Sequence, residues 1–132
     1  MRYMLDTNAL SDLIRNPGGT VAGHVRRVGE DAVCTSIVVA AELRYGAARK
    51  GSAKLTQRVE ALLADIAVMP FDEPADAEYG RIRARLEAAG QGIGGNDLFI
   101  AAHARSLNVT LVTANEREFR RVPELLVENW GE

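Results

Sequence analysis

Short apolar runs alternate with longer amphipathic segments along the chain, and this pattern predicts strands that alternate with helices. The predicted strands lie at residues 2–5, 32–36, 66–70, 109–113 and 125–127. Between them, apolar positions recur at the three- and four-residue spacing typical of helices. The helices are predicted at residues 9–14, 20–28, 37–50, 52–65, 73–89 and from 96 onward. We therefore predict an α/β fold with three α/β/α layers, a mostly parallel sheet of four to five strands, and a single domain spanning residues 1–132.

Local signals indicate where several of these elements begin and what they bury. Ser36 and Ser52 precede predicted helices, and a serine hydroxyl caps a helix by accepting a hydrogen bond from its first turn. A Pro/Gly cluster at residues 16–19 ends the first helix. Core positions are predicted from the spacing or from apolar surroundings: Val39, Leu43, Ala47, Cys34 and, as an anchor near the chain end, Trp130.

Acidic residues occur where the predicted fold exposes strand ends. Asp6 directly follows the first strand, and ligands of open α/β sheets bind outside the carboxyl ends of the strands. Glu42 lies beside the core face of helix 37–50, and Asp97 lies in the first turn of a strongly apolar helix. We expect these three acids to meet near residues 113–115, at the end of the fourth strand. Taken singly, Glu42 is explained as well by an ion pair along its helix, and Asp97 by a favourable interaction with the helix dipole.

The chemistry of such a cluster favours a metal site. Carboxylates within ~4 Å of each other repel, and a hard divalent cation such as Mg²⁺ relieves the repulsion. Such ions activate water and neutralise charge during phosphodiester cleavage. The sequence has no Cys/His set with zinc-ligand spacing, no lysine-containing phosphate loop and no serine elbow. The glycine-rich segment 90–95 does not follow a predicted strand, so it does not indicate a dinucleotide site.

Composition adds two constraints. The 132 residues are 47% apolar and 26% charged, with a single cysteine and a net charge of -2. Without a run of ~18 apolar residues, no membrane span is expected, and one cysteine suits a reducing, cytoplasmic location. The positive charge is mostly arginine, which matches phosphate geometry well. Arg81, Arg83 and Arg85 are candidate RNA contacts on one predicted helix, although a solvated helix face explains them as simply.

Four motifs in order resemble the PIN domain family, and within it the VapC-type toxins of toxin–antitoxin pairs. They are MLDTN at residues 4–8, AELRYG at 41–46, NDLFIAAHA at 96–104 and VTANEREF at 112–119, and VENW at 127–130 also fits that subgroup. The resemblance spans essentially the whole chain. It implies a Mg²⁺- or Mn²⁺-dependent endoribonuclease that cleaves RNA, with tRNA or rRNA as candidate substrates, and thereby inhibits translation.

The resemblance also assigns roles to residues. Asp6, Glu42 and Asp97 match the three family acids, which bind metal and orient the attacking water. Thr7, Asn8 and Thr113 are assigned supporting roles. Asn115 stands where many members carry a fourth acid, which puts a tightly held second metal in doubt. Glu118 is a candidate replacement carboxylate; a salt bridge on the helix surface is the alternative for it.

Partners follow from the same resemblance. A cognate VapB-type antitoxin is expected to lie across the acidic groove, and the free protein is expected to form a homodimer that joins a larger complex with antitoxin. The helices at 9–14, 20–28 and 37–50 are candidate antitoxin contacts, with Ala40, Tyr45 and Ala48 lying off the core face of the third.

Three alternative functions place different requirements on the sequence. A haloacid-dehalogenase-type phosphatase needs a second acid where Asn8 stands, and a phospho-receiver domain needs a late lysine, whereas none occurs beyond Lys54. A catalytically inactive PIN-like scaffold that binds RNA or a partner stays open because of Asn115.

Overall fold

Five parallel strands form one sheet in the computed structural model, which describes residues 1–131. The strands are β1 (Tyr3–Leu5), β2 (Val33–Ser36), β3 (Ala67–Met69), β4 (Thr110–Val112) and β5 (Val127–Glu128). Their order across the sheet is β3-β2-β1-β4-β5, and each adjacent pair is parallel. The central strand β1 places Met4 opposite Cys34 on one side and Leu111 on the other. The predicted parallel sheet is thus confirmed, and the strand ends of β1 and β4 are neighbours.

Helices complete a three-layer α/β/α arrangement. They are α1 (Thr7–Arg15), α2 (Thr20–Val28), α3 (Ile37–Lys50), α4 (Ala53–Asp65), α5 (Ala75–Ala88), α6 (Gly95–Leu107) and α7 (Glu116–Phe119), with a 3-10 turn at Glu30–Ala32. The predicted bounds of α2 and α3 are confirmed. Ser36 and Ser52 cap α3 and α4 as predicted, accepting hydrogen bonds from Val38 N and Leu55 N.

Two predicted boundaries were wrong by two residues at one end. Helix α1 begins at Thr7 instead of residue 9, because the Asp6 side chain caps it. The last strand lies at Val127–Glu128 and not at 125–127. The chain is still turning before it, since Glu124 has a left-handed backbone (φ 64°) and Leu125 N bonds back to Val122 O.

One hydrophobic core runs through both sides of the sheet. The predicted core residues are buried: Val39, Leu43, Ala47, Cys34 and Trp130. Ala40, expected to face an antitoxin, is also fully buried, so that expectation was wrong, whereas Tyr45 is 65% exposed. In residues 1–131, no helix is long and apolar enough to cross a membrane.

Candidate active site

Asp6 lies at the junction of β1 and α1, where it is held on several sides. Its backbone N–H donates to Val112 O of the neighbouring strand at 3.0 Å, and its Oδ1 accepts a hydrogen bond from Ala9 N at 2.9 Å. The side chain is almost fully buried, and burial raises the pKa of Asp6. Hydrogen bonds from Thr113 and Ala9 offset part of this effect, while the negative charge of Glu42 adds to it. The strand therefore presents a partly desolvated carboxyl group beside a second acid.

Glu42 projects from α3 and is positioned by two polar side chains from distant parts of the chain. Thr7 Oγ1 donates to its Oε1 at 2.6 Å, and Asn96 Nδ2 donates to its Oε2 at 3.2 Å. Within residues 1–131, Glu42 takes part in no ion pair, so the ion-pair explanation does not apply to it. Its two hydrogen bonds connect the first turn of α1, the middle of α3 and the first turn of α6.

Asp97 lies in the first turn of α6 with a strongly perturbed pKa. Burial raises the pKa of Asp97 to about 6, and repulsion from Glu118, Asp6 and Glu42 contributes in that order. Asp97 is therefore an acid whose ionisation is opposed both by burial and by three other carboxylates.

Glu118, on α7, is the fourth carboxylate of this cluster. Its Oε1 accepts from Gly94 N at 2.9 Å and its Oε2 from Asn115 Nδ2 at 2.6 Å. These donors stabilise the ionised form and hold the pKa of Glu118 below its usual value, with the Gly94 N–H the largest cause. The nearby Arg121 contributes weakly, but the described side chains give Glu118 no ion pair. The surface salt-bridge alternative is therefore not observed.

The supporting residues occupy two kinds of position. Thr113 is buried beside Asp6, and its Oγ1 also accepts from Asn115 N at 2.9 Å. Thr7 holds Glu42, as described above. Asn8 is exposed on the first turn of α1. The sequence analysis missed Asn96 and Gly94 as site residues; adjacency to Asp97 was the available signal for Asn96, and nothing local indicated Gly94.

The four carboxylates match a divalent cation in chemistry but stand further apart than a bound ion requires. Hard cations of this class take oxygen ligands, and Asp6, Glu42, Asp97 and Glu118 supply only oxygens. A cation would also relieve the repulsion that raises the pKa of Asp97. Across residues 1–131, no three His, Cys, Asp or Glu side chains are already grouped closely enough to hold a metal. The donor set fits such an ion once the side chains turn toward it.

The three arginines of α5 lie outside this cluster. Arg81 pairs with Glu78 at 2.5 Å and Arg83 with Glu87 at 3.0 Å. Arg85 is exposed and borders a cavity of about 170 Å³. No hydrogen bond or ion pair in the described part of the chain connects them to the acids, so their RNA contact stays a prediction.

A groove of about 250 Å³ leads away from the acids between α1, α3 and α4. Thr7 and Glu42 stand at the end nearest the site, and Lys50 stands at the last turn of α3. Its lining is mainly apolar side chains: Ile14, Leu43, Ala47, Leu55 and Val59. The site thus opens into a surface able to accept a nonpolar segment.

The chain is similar to known proteins in both sequence and fold. Residues 3–125 match the family model described as PIN domain. The chain is 36% identical over 132 residues to "Ribonuclease VapC2" of Rickettsia felis, covering 98% of both chains. It is also 36% identical to the "tRNA(fMet)-specific endonuclease VapC" of Shigella flexneri, covering 99% of both. A similar solved structure is that of VapBC2 from Rickettsia felis bound to a promoter DNA fragment, with a TM-score of 0.92, 34% identity, and coverage of 98% and 99%.

Proposed function

The chain belongs to the PIN domain family, and on that premise we propose that it is the ribonuclease toxin of a type II toxin–antitoxin pair. It would act in the cytoplasm as a single PIN domain spanning residues 1–132, cleave RNA phosphodiester bonds with Mg²⁺ or Mn²⁺, and so inhibit translation. The observation that carries the proposal is the convergence of four carboxylates from separate elements: Asp6, Glu42, Asp97 and Glu118. The negative charges of the other three raise the pKa of Asp97.

Each site residue has a proposed role that follows from its surroundings. Asp6 and Asp97 would hold the ion, joined by Glu42 and, through its carboxylate, Glu118. When bound, the ion supplies Lewis-acid stabilisation of charge on the phosphate oxygens and a more acidic water. Glu42 orients the attacking water, since the Thr7 hydroxyl and the Asn96 amide hold its carboxylate in one place. Thr113 fixes Asp6 and, through Asn115 N, the strand end that leads to Glu118.

Glu118 bears on the alternative of an inactive scaffold. That alternative rested on Asn115 standing where many family members have an acid. In this chain Asn115 Nδ2 donates to Glu118 Oε2 at 2.6 Å, and Glu118 lies next to Asp97. The negative charge absent at residue 115 is thus supplied three residues later, which supports an active enzyme and a metal-ligand role for Glu118, with Asn115 acting through it.

The partners are proposed from the relatives and from the groove. Similar solved structures include VapBC structures, some with DNA bound. We propose a VapB-type antitoxin whose apolar segment occupies the groove between α1, α3 and α4 and reaches the acids past Glu42. A homodimer is proposed for the free protein. Because one relative is named as a tRNA(fMet)-specific endonuclease, tRNA is the substrate class to test first.

Cleavage of total cellular RNA by purified, antitoxin-free protein tests the proposal. With Mg²⁺, wild-type protein should yield a discrete fragment that is absent with chelator and absent with Asp6→Asn. Asp6→Asn is the matched control because asparagine caps a helix as well as aspartate does. RNA binding without cleavage by wild-type protein would favour the inactive scaffold. Equal cleavage by both proteins would reveal a contaminating nuclease, and a repeat with separately prepared Asp97→Asn would then decide.

A further inference from the structure

Ser36 and His103 form a buried hydrogen bond between segments far apart in sequence. His103 Nδ1 lies 2.8 Å from Ser36 Oγ, and the two residues are 1% and 0% exposed. His103 is further confined by the ring of Phe71, which meets it edge-on with centroids 5.3 Å apart. This polar contact is enclosed by core, where an unmatched hydrogen-bonding group is costly. It therefore constrains the relative position of the elements it joins.

Ser36 Oγ takes part in two hydrogen bonds. It accepts from Val38 N at 3.1 Å and thereby caps α3. It also bonds to His103 Nδ1, as donor or as acceptor according to the imidazole tautomer. Burial lowers the pKa of His103 and so favours the neutral ring, which has one donor and one acceptor nitrogen. Ser36 thus both caps α3 and bonds to α6.

The two helices that meet at this bond carry two of the acids. Glu42 lies six residues after Ser36 on α3, and Asp97 lies six residues before His103 on α6. The remaining side-chain bond between them in the described residues is the exposed 3.2 Å contact of Asn96 with Glu42. Because an exposed amide is easily displaced by water, the buried bond is the stronger restraint on the spacing of the helices.

We propose that His103 is a positioning residue, which through Ser36 sets α6 against α3 and so sets Asp97 against Glu42. The inference rests on the proposed function only for its effect on metal binding. Its structural part concerns the relative position of two helices and holds whether or not the protein cleaves RNA. His103 itself does not touch the substrate or the ion.

Three variants separate this role from general core stability. His103→Phe keeps an aromatic ring against Phe71 but removes Nδ1. His103→Asn places a side-chain amide, which can donate or accept, close to where Nδ1 stood and should restore the bond with Ser36. Leu63→Ala removes core volume in α4, outside both helices. If His103→Phe does not fold, Ser36→Gly removes the same bond while weakening the cap little.

The readouts are crystal structures of each variant and Mn²⁺ affinity by titration calorimetry. In His103→Phe, α6 should shift against α3 and Mn²⁺ binding should weaken roughly tenfold. His103→Asn should recover the wild-type spacing and affinity, and Leu63→Ala should retain both. Unshifted helices together with wild-type Mn²⁺ affinity in His103→Phe would overturn the inference. Wild-type protein that binds no Mn²⁺ would instead overturn the metal part of the proposed function, and the helix positions would still decide this inference.

Discussion

Asp97 and Glu118 border the same glycine, Gly94, and the negative charge of Glu118 raises the pKa of Asp97. A Cβ placed on Gly94 would lie 3.7 Å from Asp97 Oδ2 and 3.8 Å from Glu118 Oε1, so both groups border this glycine. Glu118 receives hydrogen bonds from Gly94 N and Asn115 Nδ2 that favour its ionised form. Burial and neighbouring negative charges instead raise the pKa of Asp97 to about 6. The asymmetry makes Glu118 a fixed negative charge and Asp97 the group that titrates.

Glu118→Gln should therefore lower the pKa of Asp97 from about 6 toward its ordinary value, because it removes the neighbouring charge. Carboxyl-carbon NMR titration of the metal-free protein measures this directly. Glu116→Gln is the matched control, since Glu116 lies on the same short helix but is paired with Arg120 at 2.8 Å. An unchanged Asp97 titration in Glu118→Gln would show that the charge of Glu118 does not contribute to the raised pKa.

The raised pKa of Asp97 predicts how stability depends on pH. The folded protein holds this proton up to about pH 6, whereas the unfolded chain releases it near 3.8. The stabilisation that this proton gives the folded state is therefore complete below pH ~4 and is lost as the pH rises through 6. It amounts to about 1–2 kcal/mol after solvent screening of a half-buried group. His103 has the opposite effect on the pH dependence of stability, because burial lowers the pKa of its imidazole. To isolate the effect of Asp97, the free energy of unfolding is measured with urea for wild type and Asp97→Asn at pH 5 and 7.5, with chelator present. Equal pH dependence of the two proteins would contradict it.

Asp6 combines a helix cap with a candidate metal ligand, and two substitutions separate these roles. Asp6→Asn retains an oxygen that can accept from Ala9 N, whereas Asp6→Ala loses the cap. Both should abolish RNA cleavage, and Asp6→Ala should be less stable than Asp6→Asn by about 1 kcal/mol. Chemical denaturation of the two variants at pH 7 checks the difference. Cleavage retained by Asp6→Asn but lost in separately prepared Asp97→Asn would remove the Asp6 carboxylate from the mechanism.

Divalent metal should stabilise the fold, because it relieves the repulsion among the four carboxylates. At a metal concentration ~100 times its dissociation constant, the free energy of unfolding should rise by roughly 2.7 kcal/mol. For a chain of this size that corresponds to a Tm increase on the order of 10 °C. Differential scanning calorimetry of chelated protein with added Mg²⁺ or Mn²⁺ measures it. The shift should shrink in Asp97→Asn, and no shift in wild type would count against a metal site in the free protein.

Arg85 is the arginine of α5 best placed to bind a phosphate, since the described residues give it no ion pair. Arg85→Gln should weaken RNA binding and reduce the slope of log affinity against log salt by roughly 0.7–0.9. Arg83→Gln is the matched control, because Arg83 is already held by Glu87 and Tyr79. Filter binding or anisotropy at several salt concentrations reports both values. Identical slopes for wild type and Arg85→Gln would show that Arg85 lies on a solvated face of α5 and does not bind phosphate.

Elements with local signals were predictable from the sequence. The bounds of α2 and α3 and the caps Ser36 and Ser52 depend on residues within one helical turn, so spacing and side-chain type indicated them. The parallel sheet followed from the alternation of elements. Asp6 was placed at the site because a strand end next to a helix start is itself a local pattern.

Contacts between distant segments were not predictable in this way. Ala40 lies outside the four-residue stripe of Val39, Leu43 and Ala47, yet it is buried because α3 is covered on more than one side. The hydrogen bonds of Glu42 to Thr7 and Asn96 cross 35 and 54 positions of the chain. Glu118 could be named from the sequence as a candidate carboxylate, but its hydrogen bond from Gly94 N, 24 positions away, could not be predicted.

The central position of β1 has a consequence for how the protein is made. Asp6 is translated more than 100 residues before Val112, yet β1 pairs with β4 and Asp6 N bonds to Val112 O. Thr113 and Glu118 complete the site beyond that strand. A nascent chain that stops before residue 110 therefore lacks both the neighbour that anchors Asp6 and the fourth carboxylate. The proposed nuclease site can therefore assemble only after residues 110–118 have been synthesised, so a shorter nascent chain cannot carry the proposed activity.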